Sequence, residues 1–425
     1  MLDSRTASNE APATPTRSRS FAGSAGFLLI LGGTVGGGFS HWFIVWLIAA
    51  AHGAAGLGNY SIVLAGATPI FIFLGLGLRD VHVSLSSSPR WSVFLRLRFI
   101  GLAVALLLLA LYCLIAAPHW GIFLGMAAKK VADGFTDIAL ARIQRQSRFT
   151  LLGSLSSASA AATVVAVSLA AWFSASIGML LACAALLTLV VGLIATLLGR
   201  RDDAQSTYSN SVDWRRLFDA AVPVTISTGL MSLIASIPVW FLEANTTPLV
   251  VGRFTAAAYL IVAANMFGAS VQTILITSYR QRLAAEGSTS MLRKMPEHVR
   301  LLTVAAVPIV ILVVVAGDGF LRLVYGEGFG ATGLELLALS LTAWICIVGY
   351  VNSAAMLVLN LYRSQLAVTV ATIVGALVPL SVAAVVGTSA WILTGILSMG
   401  CAYLARYITS RILLSPGRVG DDVSL

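Results

Sequence analysis

Two lysines and two aspartates, Lys129, Lys130, Asp133 and Asp137, stand inside the otherwise apolar stretch 120–140. Charges at bilayer depth are costly, and they mark transport pathways or binding sites. At about 100° per residue the four share one helical face roughly 100° wide. That face must look at a partner helix or a water-filled cavity, and a cavity holding two ammonium groups suits an anion. A rise of about 1.5 Å per residue from Trp120 places Lys129 roughly 14 Å in, near the bilayer midplane. The spacing has a second meaning. Lys129 and Asp133 stand at i,i+4, and two lysines with two aspartates sum to zero, so a purely structural cluster stays open beside a pathway. Either carboxylate, Asp133 or Asp137, could exchange protons or another coupling ion in a transport cycle.

Other polar residues form a second tier. Asn265 and Gln272, seven apart on one helix face, and Asn352 carry amides that can bind sugar hydroxyls or bridge helices. His41, with Trp42 and Trp46, offers a stacking surface for a sugar or part of an interfacial aromatic belt. Glu243, Arg253, Arg322, Glu327 and Glu335 fall near one set of span ends, as a gate or as solvated interfacial charge. No cluster of His, Cys or carboxylates resembles a metal or hydrolase centre, and Gly326, Gly328 and Gly330 lack the Lys-Ser/Thr of a phosphate loop. The chain reads as a non-enzyme without cofactor or metal. The cysteines Cys113, Cys183, Cys346 and Cys401 all lie in apolar runs, as small hydrophobes.

The elements that position these residues follow from composition. Hydrophobic residues are 58% and charged residues 10% of 425, with mean hydropathy +0.92, where a soluble protein carries about 25% charged residues. The fold class is an all-α polytopic membrane protein. Spans long enough for a hydrocarbon core of about 30 Å are read at 24–51, 59–78, 99–117, 120–140, 150–172, 177–198, 220–241, 254–278, 301–324, 332–357, 366–386 and 391–408. Gly58, Asn59 and Tyr60 recur as Gly252, Arg253 and Phe254, which points to an internal repeat. The expected organisation is a disordered cytoplasmic tail 1–23, a six-helix bundle 24–198, a cytoplasmic linker 199–218, a second six-helix bundle 219–410 and a tail 411–425. The two bundles would surround a central cavity as pseudo-symmetric halves. Interhelical loops of about 20 residues at most are too short for a folded catalytic domain.

The stretch GAAGLGNYSIVLAGATPIFIFLGLGLRD, 53–80, resembles the early region of polysaccharide flippases of the multidrug/oligosaccharidyl-lipid/polysaccharide exporter superfamily. Residues 320–366, with Val324, Tyr325, Gly326, Gly328, Phe329, Ala331, Leu357, Asn360, Arg363 and Gln365, look like that family's later signature. The resemblance covers nearly all of 24–410 and implies a Wzx-type flippase. Such a protein moves an undecaprenyl-diphosphate-linked oligosaccharide across the bacterial cytoplasmic (inner) membrane by alternating access, for O-antigen or exopolysaccharide synthesis, beside polysaccharide polymerase machinery. The lipid diphosphate needs cations and polar groups in a cavity while its prenyl tail stays in lipid. A multidrug or organic-cation exporter shares the architecture but favours an acidic cavity. A peptidoglycan-precursor flippase has two further helices, and an intramembrane glycosyltransferase or polymerase needs acidic catalytic residues and a sizeable loop.

Of the 27 Lys and Arg residues, 23 fall in the N-terminal tail, in alternate loops and from Arg406 onward. By the positive-inside rule both termini are cytoplasmic, so the basic excess orients the chain and needs no nucleic acid. Reporter fusions check this: a fusion after Arg411 gives cytoplasmic activity and one near Gly387 gives outer-side activity, whereas outer-side activity after Arg411 contradicts the orientation.

Overall fold

The computed structural model describes residues 24–84, 91–116, 119–200 and 214–415. The expected tail 1–23, most of the linker 199–218 and the last ten residues lie outside the described residues. Regular structure within them is helical: α1 (Ser24–Leu74), α2 (Leu78–Ser84), α3 (Trp91–Ala116), α4 (Trp120–Arg145), α5 (Phe149–Trp172), α6 (Ile177–Gly199), α7 (Trp214–Asn245), α8 (Pro248–Tyr325), α9 (Gly333–Val358), α10 (Tyr362–Val386) and α11 (Trp391–Leu413), with one 3-10 turn at Glu327–Phe329.

Two of these runs each contain two of the expected spans. α1 breaks only at Gly53 (φ 66°, ψ −171°) and α8 only at Gly287 (φ 81°, ψ 177°), conformations that glycine adopts without a Cβ clash. The stretch 279–300, expected as a cytoplasmic loop, is therefore helical. Its Arg, Leu, Ala, Glu and Met residues are strong helix formers, so the polar segment that hydropathy reads as a loop continues the helix beyond the apolar core.

Among the described residues nine helices are long and apolar enough to cross a membrane. α4 falls outside that set, because its four charges interrupt the apolar run. Broad apolar faces are open elsewhere: Leu323 is 85% and Val385 86% exposed, and residues 301–316 of α8 hold no buried side chain. Contiguous apolar surface of this extent is untenable in water and suits lipid tails. The chain is a multi-pass membrane protein.

The internal repeat reappears in backbone detail. α4, α5 and α6 match α9, α10 and α11 in order and nearly in length, at 26, 24 and 23 residues against 26, 25 and 23. The α4–α5 turn places Ser147 at φ 56° and the α9–α10 turn places Asn360 at φ 57°. In the first, the Arg148 N–H reaches back to Ile143 O at 3.3 Å, and in the second Leu361 reaches Met356 O at 3.0 Å. Both are the left-handed helix ending that satisfies otherwise orphaned carbonyls. Packing repeats as well, since α4 lies on α6 as α9 lies on α11, and α1 lies on α5 as α7 lies on α10.

α1 and α8 meet through a reciprocal contact built on the same repeat. A Cβ on Gly58 would lie 1.7 Å from the Pro248 carbonyl oxygen, and a Cβ on Gly252 would lie 1.8 Å from the Ala54 carbonyl oxygen. Ala54 and Gly58 occupy the places of Pro248 and Gly252, so the two backbones touch as a self-complementary pair of the kind found across two-fold axes. Small residues allow that approach. Gly58→Ala and Gly252→Ala should each destabilise the protein by about 1–3 kcal/mol through overpacking, read as a lower thermal unfolding midpoint in detergent. Gly349→Ala, whose Cβ meets nothing within 4 Å, should not. Equal midpoints for all three would contradict the close contact.

Candidate functional site

The apolar positions of α4, among them Ile122, Met126, Ile138 and Ile143, are buried against neighbouring helices, which turns the charged face inward. There the four expected residues separate into different roles. Lys129, only 17% exposed, is paired with Asp133 one turn on. Asp137 is held by two arginines: Arg79 Nη1 donates to Oδ1 at 2.8 Å and Arg98 Nη2 to Oδ2 at 3.3 Å. Arg98 also donates from Nε to Gly134 O at 2.8 Å and from Nη1 to Gly75 O at 3.2 Å, while Arg79 Nη2 reaches Gln144 Oε1 at 3.0 Å. Lys130 differs from all of these. Its nearest polar partner is the Thr68 hydroxyl at 3.5 Å, and among the described residues it makes no ion pair.

Two cavities flank α4. The larger, about 380 Å³, lies between α4, α3 and the second segment of α1, with Thr68, Arg79, Arg98, Lys130, Asp133 and Asp137 in its wall. The smaller, about 300 Å³, lies between α4, α5 and the first segment of α1, with Ser40, His41, Lys129, Asp133, Ser156 and Ser159. Asp133, Leu140, Ser159 and Thr188 line both, so the spaces adjoin around one carboxylate. With each water taking about 30 Å³, the larger holds on the order of a dozen waters. That volume admits a phosphate or diphosphate group with its hydration, not a chain of sugars. Charge in the wall is unbalanced, with Arg79, Arg98, Lys129 and Lys130 set against Asp133 and Asp137.

Sequence reasoning counted Arg79 and Arg98 only as orientation charges. Both reach Asp137 from α2 and α3, and no spacing along α4 could reveal them. Every residue lining either cavity falls between 33 and 188, so the charged space sits within the first half of the chain rather than between the halves.

The expected sugar-binding amides are placed elsewhere. Asn352 is fully buried and its Nδ2 donates to Tyr407 O at 3.2 Å and Ser410 Oγ at 3.0 Å, which ties α9 to α11. Here it bridges two helices, with no surface open to either cavity. Asn265 accepts the Tyr350 hydroxyl, and Gln272 is half-buried seven residues along α8, away from both cavities. His41 does open into the smaller cavity.

The expected gate is also rearranged. Arg253 Nη2 donates to Gly330 O at 2.8 Å, Arg322 pairs with Asp318 at 2.9 Å and Glu327 at 3.2 Å, and Glu335 closes a capping box with Thr332 at the start of α9. These charges pin the loop 326–332 within the second half, while Glu243 on α7 forms no ion pair with them among the described residues. The polar bonds from α1 to the end of α8 are aromatic instead. Trp46 Nε1 donates to Val324 O at 2.7 Å and Trp42 Nε1 to the Tyr325 hydroxyl at 2.9 Å.

No protein-family model matches the chain. Among curated proteins, the capsular polysaccharide biosynthesis protein CapF of Staphylococcus aureus is 22% identical over 311 residues, 70% of this chain and 76% of that protein. Among solved structures, the lipid II flippase MurJ in an inward closed conformation superposes with a TM-score of 0.65 at 11% identity, covering 94% of this chain and 89% of its own. An inward-facing multidrug resistance MATE family transporter of the MOP superfamily gives 0.63 at 12% identity, over 90% and 94%. A MOP superfamily transporter from Pyrococcus furiosus, described as having a binding pocket of reverse polarity, gives 0.62 at 12% identity, over 92% and 95%. The chain thus has the fold that these MOP superfamily transporters share.

Proposed function

We propose that the protein is a flippase for an undecaprenyl-diphosphate-linked oligosaccharide, in which Lys130 is the cation that meets the diphosphate. The carrying observation is that Lys130 lines the larger cavity without a carboxylate partner, whereas Lys129, Arg79 and Arg98 are each committed to an aspartate. An unpaired ammonium at this depth is costly unless water or an anion meets it. A flexible ammonium can also follow a moving phosphate, which a rigid guanidinium fork does less well. The names of two relatives, a capsular polysaccharide biosynthesis protein and a lipid II flippase, agree with a lipid-linked glycan as substrate. The fold likeness to MATE transporters leaves drug export as the second reading. Excess positive charge in the cavity speaks against a cationic drug.

In this reading the breaks at Gly53 and Gly287 divide α1 and α8 into two spans each, which gives twelve spans in two six-helix bundles, 24–198 and 219–410, with both termini in the cytoplasm. The bundles rock about the Gly58 and Gly252 contact. The diphosphate dips into the first bundle while the sugars, too large for that cavity, lie in the aqueous space between the bundles. His41 meets the polar headgroup from the smaller cavity. Asp133 borders both cavities and its side chain is 45% exposed, which supports it as the carboxylate that exchanges a coupling ion. Asp137 holds α2, α3 and α4 together. The polymer is assembled afterwards by separate machinery at the outer face of the inner membrane.

Lys130→Gln removes charge without stranding an aspartate, so it separates transport from folding. Translocation of a lipid-linked oligosaccharide in proteoliposomes should fall at least about tenfold, as expected for loss of one charge-assisted contact, at unchanged expression and thermal midpoint. A neutral Lys129→Gln, Asp133→Asn double variant should fold and bind the substrate but lose its response to the ion gradient. Wild-type translocation by Lys130→Gln would contradict the assignment.

A further inference from the structure

The second half of the chain also holds a cation deep in a helix that makes no ion pair among the described residues. Arg406 stands fifteen residues beyond the start of α11 and seven before its end at Leu413. That is about 22 Å from one end and about 10 Å from the other. Its Nη2 donates to Ser353 Oγ at 3.0 Å, and its Cζ lies 5.1 Å from the Tyr350 ring centroid. Tyr350 in turn donates its hydroxyl to Asn265 on α8, which also accepts from Cys346 Sγ at 3.6 Å. Among the described residues Arg406 makes no ion pair.

The repeat sharpens the meaning of this cluster. Tyr350 holds on α9 the same place that Asp137 holds on α4, since α4 begins at Trp120 and α9 at Gly333. In the first half arginines at that level meet a carboxylate. In the second the guanidinium meets an aromatic face and a hydroxyl, which orient it and leave its charge uncompensated. An arginine serving only to anchor the helix end would extend its head toward water. Arg406 is instead half-buried against α9. Its donors reach Ser353 and the Tyr350 hydroxyl, and a guanidinium with five donors keeps others for phosphate oxygens.

We propose that Arg406, oriented by Tyr350 and Ser353, is a second phosphate-binding station, in the C-terminal half, that loads the substrate from the cytoplasmic side before Lys130 carries it. The order rests on the flippase reading and its orientation. Lys130 is ten residues, about 15 Å, from the outer end of α4, and Arg406 is about 7 Å nearer the cytoplasm by the same count. The ligand is a phosphate or diphosphate group, on a prenyl lipid or free in solution.

Binding of undecaprenyl diphosphate and of inorganic pyrophosphate to the purified full-length protein tests the station. Arg406→Gln should weaken binding of undecaprenyl diphosphate about tenfold, as for one lost charge-assisted contact, and Arg406→Lys should recover less than half of the loss, because an ammonium lacks the fork. Weakening confined to undecaprenyl diphosphate assigns the site to a lipid headgroup. A parallel loss for pyrophosphate assigns it to phosphate groups at large. Unchanged affinity for both probes in Arg406→Gln overturns the proposal, and so does a drop in thermal midpoint without a change in binding, which marks a structural role. If Arg406→Gln does not fold, Arg406→Lys decides: weaker binding supports the station and wild-type binding overturns it. Lys130→Gln separates this inference from the flippase reading. In that variant translocation should fall at least about tenfold, and adding Arg406→Gln to it should weaken binding of undecaprenyl diphosphate further. If Lys130→Gln translocates normally and Arg406→Gln has lost binding, Lys130 falls and the station stands.

Discussion

A charge carried into hydrocarbon must meet water, another charge or a ligand, and that requirement organises the first half of this chain around α4. Asp137 is fixed between Arg79 and Arg98, two arginines from different helices, and Arg98 adds bonds to the Gly75 and Gly134 carbonyls. The junction of α1, α2, α3 and α4 is therefore tied through one carboxylate. Arg98 is only 12% exposed, so removing its carboxylate would leave a largely buried charge without its partner. Once the junction is set, the charged face of α4 cannot rotate to lipid. The space it fails to fill becomes the cavity, and Lys130 in its wall makes no ion pair among the described residues.

The second half uses the same frame for different chemistry. Its helices repeat α4, α5 and α6 in order and length, and even the left-handed turn at Ser147 returns at Asn360. Yet Asp133 and Asp137 are replaced at their places by Cys346 and Tyr350, and the amides Asn265 and Asn352 serve packing. A symmetric scaffold with unequal linings lets one half hold a charge strongly while the other contacts it lightly, which suits a substrate that must be released as well as bound. The touching backbones at Gly58 and Gly252 join the two repeats at equivalent positions.

Much of the architecture was legible because hydropathy and helix phase are local properties. The inward face of α4 followed from the arc shared by Lys129, Lys130, Asp133 and Asp137, and the echo of Gly58 in Gly252 marked two residues that do meet across the repeat. The helix through 279–300 was missed because its polarity resembles a loop, although its residue types favour helix. Arg79, Arg98 and Arg406 were absorbed into a topological count, since the positive-inside rule treats all cations alike. Their partners come from other helices, and only tertiary packing distinguishes a cation bound to Asp137, one stacked on Tyr350 and one dissolved in the headgroups. The contacts of the gate residues were hidden for a related reason: Arg253, Arg322 and Glu335 share one end of the molecule, and here they pin a loop within one half.

The most direct test is a structure of the protein in lipid nanodiscs with undecaprenyl diphosphate bound in the cytoplasm-facing state. The account predicts density for the diphosphate in the cavity beside α4, with a phosphate oxygen at about 2.8 Å from Lys130 Nζ, the length of a charge-assisted hydrogen bond, and with the pairs of Asp137 to Arg79 and Arg98 intact. Diphosphate density remote from both Lys130 and Arg406, with the cavity beside Lys130 holding only water, would contradict it.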